Sequence, residues 1–107
     1  MTEFEFHHVG VPTQTEQEGE SYMEGAKLYI TDPTAHPYRV EFLRFEEGSP
    51  MPELLKTHNH AAFVVPSIAD AMAGKEVVLP PFDATEELRV AFIRDGDALI
   101  ELMEKKS

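Results

Sequence analysis

The sequence predicts a small α+β domain in which one arrangement of strands and a short helix occurs twice. Several segments alternate polar and apolar residues with a period of two, which is typical of half-buried strands. The order of these segments in residues 4–46 resembles their order in residues 58–105. Two of them are joined by Asp95-Gly96, a strong β-hairpin signal because the turn requires positive φ.

The first half contains three predicted strands and one long connection. Phe4–Pro12 is an extended run that ends at a proline, and Lys27–Thr31 and Tyr38–Phe45 alternate polar with apolar residues. Between the first two strands, Thr13–Gly25 is polar, acidic and interrupted by glycine. This composition predicts a loop with at most one helical turn.

The second half follows a connector. Residues 46–57 contain prolines, a glycine and a Glu-Leu-Leu-Lys stretch that is too short to predict a helix. Ser67 and Asp70 have capping-box spacing, so we expect a short helix there, which ends before Gly74. We expect Pro80-Pro81 to end the second strand of this half. The predicted strands are His60–Val65, Val77–Leu79, Leu88–Arg94 and Ala98–Glu104.

Length, charge and composition limit the class of protein. A chain of 107 residues and 12.1 kDa has room for one domain, residues 1–107. Nine Lys and Arg against 20 Asp and Glu give a net charge of −11, which repels nucleic acids and anionic membrane surfaces. Because the chain has no cysteine, a metal ion would bind His and carboxylate side chains. An acidic N-terminus and the lack of a long apolar run favour a soluble, cytoplasmic protein.

Four residues stand at matching positions of the two halves. Aligning the segment that begins at His8 with the one that begins at His60 also aligns the strand around Glu41 with the strand around Glu101. Each half therefore opens on a strand with a histidine and closes on a strand with a glutamate. Both glutamates share a strand face with apolar residues. These neighbours are Leu43 and Phe45 in the first half and Leu99 and Met103 in the second.

Carboxylates on an apolar face need a compensating charge, because burying an unpaired carboxylate is strongly unfavourable. A divalent cation would satisfy both acids at once, and two imidazoles with two carboxylates suit Zn, Ni, Co, Mn or Fe(II). Each residue also has a simpler interpretation, since a strand-end His is often a polar surface residue and a strand Glu often joins a cross-strand salt bridge. The repetition favours a metal site with the ligands His8, Glu41, His60 and Glu101.

The ordered segments resemble the vicinal oxygen chelate superfamily, which includes glyoxalase I, methylmalonyl-CoA epimerase, the extradiol dioxygenases and the fosfomycin- and bleomycin-resistance proteins. The resemblance covers nearly the whole chain and lies in His8–Val11, Val40–Leu43, His60–Val64 and Leu99–Met103. It implies two βαβββ modules, about residues 4–46 and 58–105, in a curled, cup-shaped mixed sheet around one divalent metal ion. The first-module helix is expected to be shortened. His8, Glu41, His60 and Glu101 match the ligand positions, whereas His7 and His58 do not.

The resemblance also implies an activity. We expect a metal-dependent isomerase, epimerase or lyase that acts on a small hydroxy-carbonyl substrate with two vicinal oxygens, through a metal-bound enediolate. Glu101 or Glu41 is the expected base. The alternatives are an Fe(II) extradiol-type dioxygenase and a non-catalytic small-ligand-binding or resistance protein. We also expect a homodimer, because a shortened helix exposes apolar strand surface that a second copy can cover.

Overall fold

The computed structural model describes residues 3–106, which form a mixed eight-stranded sheet with two short helices, a small α+β fold. The strand order in the sheet is β2-β3-β4-β1-β5-β8-β7-β6. Neither of the described helices is long and apolar enough to cross a membrane. The strands are β1 Glu5–Pro12, β2 Ser21–Met23, β3 Leu28–Ile30, β4 Val40–Phe45, β5 His60–Val64, β6 Glu76–Asp83, β7 Leu88–Asp95 and β8 Ala98–Lys105; the helices are α1 Glu53–Thr57 and α2 Ile68–Ala71.

The chain divides into two compact units. The N-terminal unit is His8–Asn59, and the C-terminal unit contains residues 60–106 together with residues 3–7. Strand β1 therefore contributes its first residues to the C-terminal unit and the rest to the N-terminal unit.

In the N-terminal unit, β1 pairs in parallel with β4, which pairs antiparallel with β3, and β3 pairs antiparallel with β2. Apolar side chains from β3 and β4 pack with the turn that precedes β3, so the two strands have a small core of their own. Its buried members are Ala26, Leu28 and Leu43, and Met23, Ile30, Phe45 and Met51 pack against them.

The C-terminal unit repeats this pattern and has helix α2 between its first two strands, β5 and β6. Strand β5 pairs in parallel with β8, which pairs antiparallel with β7, and β7 pairs antiparallel with β6. The side chain of Ser67 accepts a hydrogen bond from the N–H of Asp70, so the predicted N-cap of α2 is confirmed. Helix α2 covers one face of β7 and β8 in a core of Val65, Ile68, Ala91, Ile93 and Leu102.

The register of the parallel strand pair is the same in both units. Gly10 lies opposite Glu41 in one unit, and Ala62 lies opposite Glu101 in the other. The backbone hydrogen bonds agree, because Thr13 N–H donates to the Leu43 carbonyl at 2.9 Å and Val65 N–H donates to the Met103 carbonyl at 2.8 Å. In each unit the histidine therefore lies two residues before the position that faces the glutamate, as the alignment of the two halves predicts.

The connection after β1 differs from the prediction. The segment expected to be a loop with at most one helical turn contains strand β2 and, within the described residues, no helix. The shortened helix that the resemblance implies is therefore not present in the described residues between β1 and β2. Strand β2 has three residues at the edge of the sheet, and two of them, Ser21 and Tyr22, are exposed. Its sequence therefore lacks the apolar alternation that identifies a half-buried strand.

Two other boundaries also differ. The connector contains α1, which follows Pro52 and is fixed by Leu55, a buried side chain at 3% exposure. Strand β6 continues through Pro80-Pro81 to Asp83, so the expectation that the prolines end it is wrong. Proline is tolerated there because β6 is an edge strand with two shifts in its register against β7.

The hairpin between β7 and β8 is confirmed, with its turn one residue later than Asp95-Gly96. Asp95 pairs with Ala98, so the two central residues of the turn are Gly96 and Asp97. Gly96 has a φ of 61°, a left-handed conformation that glycine adopts without steric penalty.

Candidate metal centre

The C-terminal unit holds a buried histidine–glutamate pair. His60 begins β5, and Glu101 lies on the neighbouring strand β8. His60 Nε2 is 2.9 Å from Glu101 Oε1, and the two side chains are 0% and 11% exposed. The ring of Phe92, which pairs opposite Glu101 on β7, contacts the His60 ring edge to face at 5.1 Å. This packing restricts the orientation of the imidazole.

The N-terminal unit holds the equivalent pair in a looser form. His8 lies on β1 and Glu41 on the neighbouring strand β4. His8 Nε2 is 3.4 Å from Glu41 Oε1, and the two side chains are 2% and 15% exposed. The position equivalent to Phe92 in this unit is Asp32, so a carboxylate residue stands where the other unit has an aromatic one.

The donor atoms of each pair have the spacing that a shared metal ion requires. Two ligands at about 2.1 Å from one ion are about 3.0 Å apart at a right angle and about 3.4 Å apart at the tetrahedral angle. The observed Nε2 to Oε1 separations are 2.9 and 3.4 Å. The shorter separation is also that of a hydrogen bond between His60 and Glu101, whereas the longer one, between His8 and Glu41, is that of an ion pair.

A small residue faces each glutamate, a feature that the sequence reasoning missed. Gly10 lies opposite Glu41 and Ala62 lies opposite Glu101, and both are buried. A small side chain at this position leaves the space above it to the histidine and the carboxylate. The signal was visible in the sequence as His-x-Gly and His-x-Ala, at the same offset in the two halves.

The four predicted ligands, His8, Glu41, His60 and Glu101, form a group that could hold a metal ion. His8, His60 and Glu101 are buried and Glu41 is half-buried. His58, which was not a predicted ligand, is exposed and its Nδ1 is 2.8 Å from the hydroxyl of Thr57. Phe92 was not identified from the sequence, because an apolar residue in a strand has no signal that separates packing against a ligand from ordinary core packing.

Comparison with known proteins adds the fold but no function. No family model and no curated protein matches the sequence. The structure is similar to the crystal structure of a hypothetical protein from Bacillus halodurans C-125, with a TM-score of 0.69 and 17% sequence identity. The match covers 98% of this chain and 96% of that chain, so the similarity extends over the whole fold.

Proposed function

We propose that the protein is a metal-dependent isomerase, epimerase or lyase, similar to the vicinal oxygen chelate enzymes, and that His8, Glu41, His60 and Glu101 bind one divalent ion. In this proposal the two units are the two modules of that fold, and the described residues between β1 and β2 of the first contain no helix. The observation that carries it is the repeated pair, a histidine and a glutamate at the same register, with donor atoms 2.9 and 3.4 Å apart. Packing alone gives no reason to repeat this combination.

A divalent ion bound there would act as a Lewis acid for negative charge that develops on substrate oxygens. The protein must then supply a base that removes a proton from the carbon beside the carbonyl. Glu41 and Glu101 are the candidates. A carboxylate that leaves the ligand set has a free oxygen that can take this proton.

The two glutamates differ in how firmly they are held, and this favours Glu41 as the base. Glu101 is 2.9 Å from its histidine, which is itself packed against Phe92. Glu41 has the longer contact, 3.4 Å, and the more exposed side chain. We therefore assign Glu101 to permanent ligation and Glu41 to proton transfer.

Metal content tests the site itself. Protein purified without added metal and then loaded with Zn, Ni, Co, Mn or Fe(II) should bind about one divalent ion per chain by elemental analysis. His8→Ala and His60→Ala should each remove most of the bound metal, whereas His58→Ala, an exposed matched control, should bind as much as the wild type. If the loaded wild-type protein contains no metal, or if both ligand variants bind it as well as the control does, the proposed site is wrong.

Proton exchange tests the chemistry without a known substrate. The loaded protein in deuterium oxide should catalyse exchange at the carbon beside the carbonyl of a small hydroxyketone such as hydroxyacetone. Glu41→Gln should abolish exchange and keep most of the metal, whereas Glu101→Gln should lose both. Exchange that survives in Glu41→Gln but is lost in a metal-containing Glu101→Gln would reverse the two assignments, and exchange that survives in both would exclude both glutamates as the base.

A further inference from the structure

The link between β3 and β4, residues 31–39, is held in a different way from the equivalent link of the C-terminal unit. Ile30 pairs with Leu43 in one unit and Val90 pairs with Met103 in the other, so the two links have the same length. In the C-terminal unit the strand pairing continues along the link to a tight hairpin turn. In the N-terminal unit a 3-10 turn replaces the hairpin, so the backbone polar groups need other partners.

The same link borders a cavity of about 430 Å³. Phe42 contributes to its wall, and successive strand residues point to opposite faces, so the cavity lies on the other face of β4 from Glu41. By the repeat, Thr31 is equivalent to Ala91 and Phe42 to Leu102, and in the C-terminal unit these two pack with α2. The lining residues are Gln17, Glu18, Gly19, Thr31, Asp32, Ala35, His36 and Phe42.

The first half of the link is fixed by the side chains of Thr31 and Asp32. The hydroxyl of Thr31 accepts a hydrogen bond from the N–H of Phe42 at 2.9 Å. Asp32 Oδ1 accepts from the N–H and the hydroxyl of Thr34 at 2.9 and 2.7 Å, which caps the 3-10 turn. The second half of the link, residues 36–39, depends on a different group.

That group is the imidazole of His36. Its Nδ1 accepts from the N–H groups of Tyr38 and Val40 at 3.0 and 3.4 Å. Its ring also contacts the Tyr38 ring at 5.8 Å and the Phe42 ring, edge to face, at 6.0 Å. One side chain therefore pairs two backbone N–H groups, and aromatic packing orients it for this role.

The backbone between the two N–H groups is strained. Arg39 has a φ of 57°, a left-handed conformation that is unfavourable for a residue with a Cβ atom. A left-handed residue between two N–H donors turns both toward a single acceptor, as in backbone nests. The bonds to His36 Nδ1 offset part of this strain, so their loss favours a change in the backbone of the link.

Only a neutral imidazole can make these bonds. A ring nitrogen that accepts carries no proton, so the hydrogen of the neutral His36 ring is on Nε2. Protonation adds a hydrogen to Nδ1, which then faces two N–H donors instead of accepting from them. Histidine is the side chain whose ordinary charge change falls between about pH 5 and about pH 8.

The surroundings of His36 accommodate a positive ring. The charged or titratable groups on its own link and on the connection between β1 and β2 are Asp32, Tyr38, Arg39 and Glu18. The side chains that β4 and the end of β3 bring to the cavity, Phe42 and Thr31, do not titrate. Two carboxylates therefore stand against one guanidinium, and a protonated ring that turns away from the N–H groups meets negative charge.

We propose that His36 is a pH-sensitive switch that holds the link before β4 at neutral pH and releases it in acid. Protonation removes the acceptor from the N–H groups of Tyr38 and Val40, and the strained backbone at Arg39 then rearranges. Val40 and Phe42 flank Glu41 on β4, so the release begins beside that residue. The switch is a property of the link and does not depend on the proposed metal chemistry.

Nuclear magnetic resonance titration of the full-length, metal-free protein from about pH 8 to about pH 5 tests the switch. The amide resonances of Tyr38 and Val40 should move toward the shifts of unstructured residues, with the same midpoint as the ring resonances of His36. The amide of Leu102, in the core of the other unit, should not follow that midpoint. Different midpoints for the His36 ring and the two amides, or amides that do not move while the ring titrates, would overturn the proposal.

His36→Asn separates this histidine from the others of the chain. Asn Oδ1 stands at the position of Nδ1 and accepts hydrogen bonds without becoming protonated in this range. The amides of Tyr38 and Val40 should therefore lose their pH response. His58→Asn removes an exposed histidine and should respond as the wild type does. A response that persists in His36→Asn would assign it to another group. The titration of the wild type decides the question even if His36→Asn does not fold.

Hydrogen exchange shows whether the link opens. After correction for the intrinsic pH dependence of exchange, protection of the Val40 amide should fall at least about fivefold between about pH 8 and about pH 5 in the wild type. It should stay constant in His36→Asn. Unchanged protection in the wild type, at a pH where the His36 ring resonances show a protonated imidazole, would mean that the link stays closed and would refute the release.

Discussion

The two units have the same strand pairing but differ in what covers one face of their strands. In the C-terminal unit, α2 covers Ala91 and Leu102. In the N-terminal unit, the equivalent Thr31 and Phe42 border a cavity. The parallel pair keeps its register in both, because backbone hydrogen bonds fix it independently of the cover. The difference teaches that the candidate ligands depend on the strand pairing, whereas the cover is free to change.

Equivalent residues of β8 and β4 hold the segment that follows the first strand of each unit. Glu104 on β8 accepts a hydrogen bond from the N–H of Ile68 at 2.7 Å, which caps the start of α2. The equivalent residue on β4 is Arg44, whose guanidinium donates to Glu20 at 2.8 and 2.6 Å. Arg44 also lies over the ring of Tyr29 at 4.2 Å. The N-terminal unit, which has no helix among the residues between β1 and β2, therefore attaches this loop through an ion pair at the position where the other unit caps α2.

The largest expected effect is on stability, and it distinguishes the strand face that α2 covers from the face that borders the cavity. Leu102→Ala should lower the free energy of unfolding by about 2–5 kcal/mol, because it leaves a hole between α2 and two strands. Phe42→Ala should lower it by less than about 2 kcal/mol, although it removes more atoms, because Phe42 is only half-buried beside an existing cavity. Urea denaturation of the two variants measures both values.

Equal losses for the two substitutions would mean that the N-terminal cover is as tightly packed as the helix. The cavity would then be closed in solution, and the difference between the units would disappear.

Most strands could be predicted from the sequence because their signal is local. Alternation identifies β1, β4, β7 and β8, and glycine identifies the hairpin. The missed features have other causes. Strand β2 forms because β3 offers it an edge, and β6 tolerates Pro80-Pro81 because it lies at an edge with irregular register. Such partners are fixed by the tertiary structure, which a window of sequence does not contain.

The identity of the candidate ligands could be predicted from the sequence, but their distances and neighbouring side chains could not. The matched positions identify His8, Glu41, His60 and Glu101 as a group, and the register in each unit agrees with the alignment. The difference between a contact of 2.9 Å and one of 3.4 Å could not be predicted. Phe92, which packs against His60, could not be predicted either, because only the pairing of β7 with β8 brings that ring to the histidine.

The hairpin turns give the next effect in size. Gly96→Ala should lower the free energy of unfolding by about 1–2 kcal/mol. The φ of 61° lies in the left-handed region, where a residue with a Cβ atom is strained. Gly25→Ala, in the hairpin of the other unit, is the matched control. Its φ is not positive and its new Cβ would meet nothing within 4 Å, so we expect no loss. A loss of the same size at both glycines would contradict this account of the turns.

A smaller effect concerns stability at acid pH. Breaking an ion pair of the N-terminal unit should change it more than breaking one of the C-terminal unit. Hydrogen bonding by Arg44 lowers the pKa of Glu20 below its ordinary value of 4.5, and the Glu20 side chain is 7% exposed. A lowered folded pKa contributes stability that is present above the unfolded pKa and is lost as the pH falls through the folded pKa. Arg44→Gln should therefore reduce stability at neutral pH and flatten its decline as the pH falls below 4.5.

The C-terminal unit supplies the control for that pH dependence. Lys106 and Arg89 lower the pKa of Asp83, whose side chain is 54% exposed, and solvent screens such a pair. Lys106→Gln should change the acid profile less than Arg44→Gln does. The reverse ranking would show that the loop of the N-terminal unit is not attached through its ion pair.

The smallest effect reports on the N-terminal unit alone, because it holds all three tyrosines of the chain. Tyr22 O–H donates to Glu46 at 2.6 Å, and this hydrogen bond raises the pKa of Tyr22 from 10.0 to about 12. Since the protonated phenol is favoured, the bond stabilises the fold below pH 10.0 and loses its effect as the pH rises through about 12. Tyrosinate absorbance should therefore show a step near pH 12 while circular dichroism remains native. That step should move to lower pH in Glu46→Gln and vanish in Tyr22→Phe, and its persistence in Tyr22→Phe would assign it to another residue.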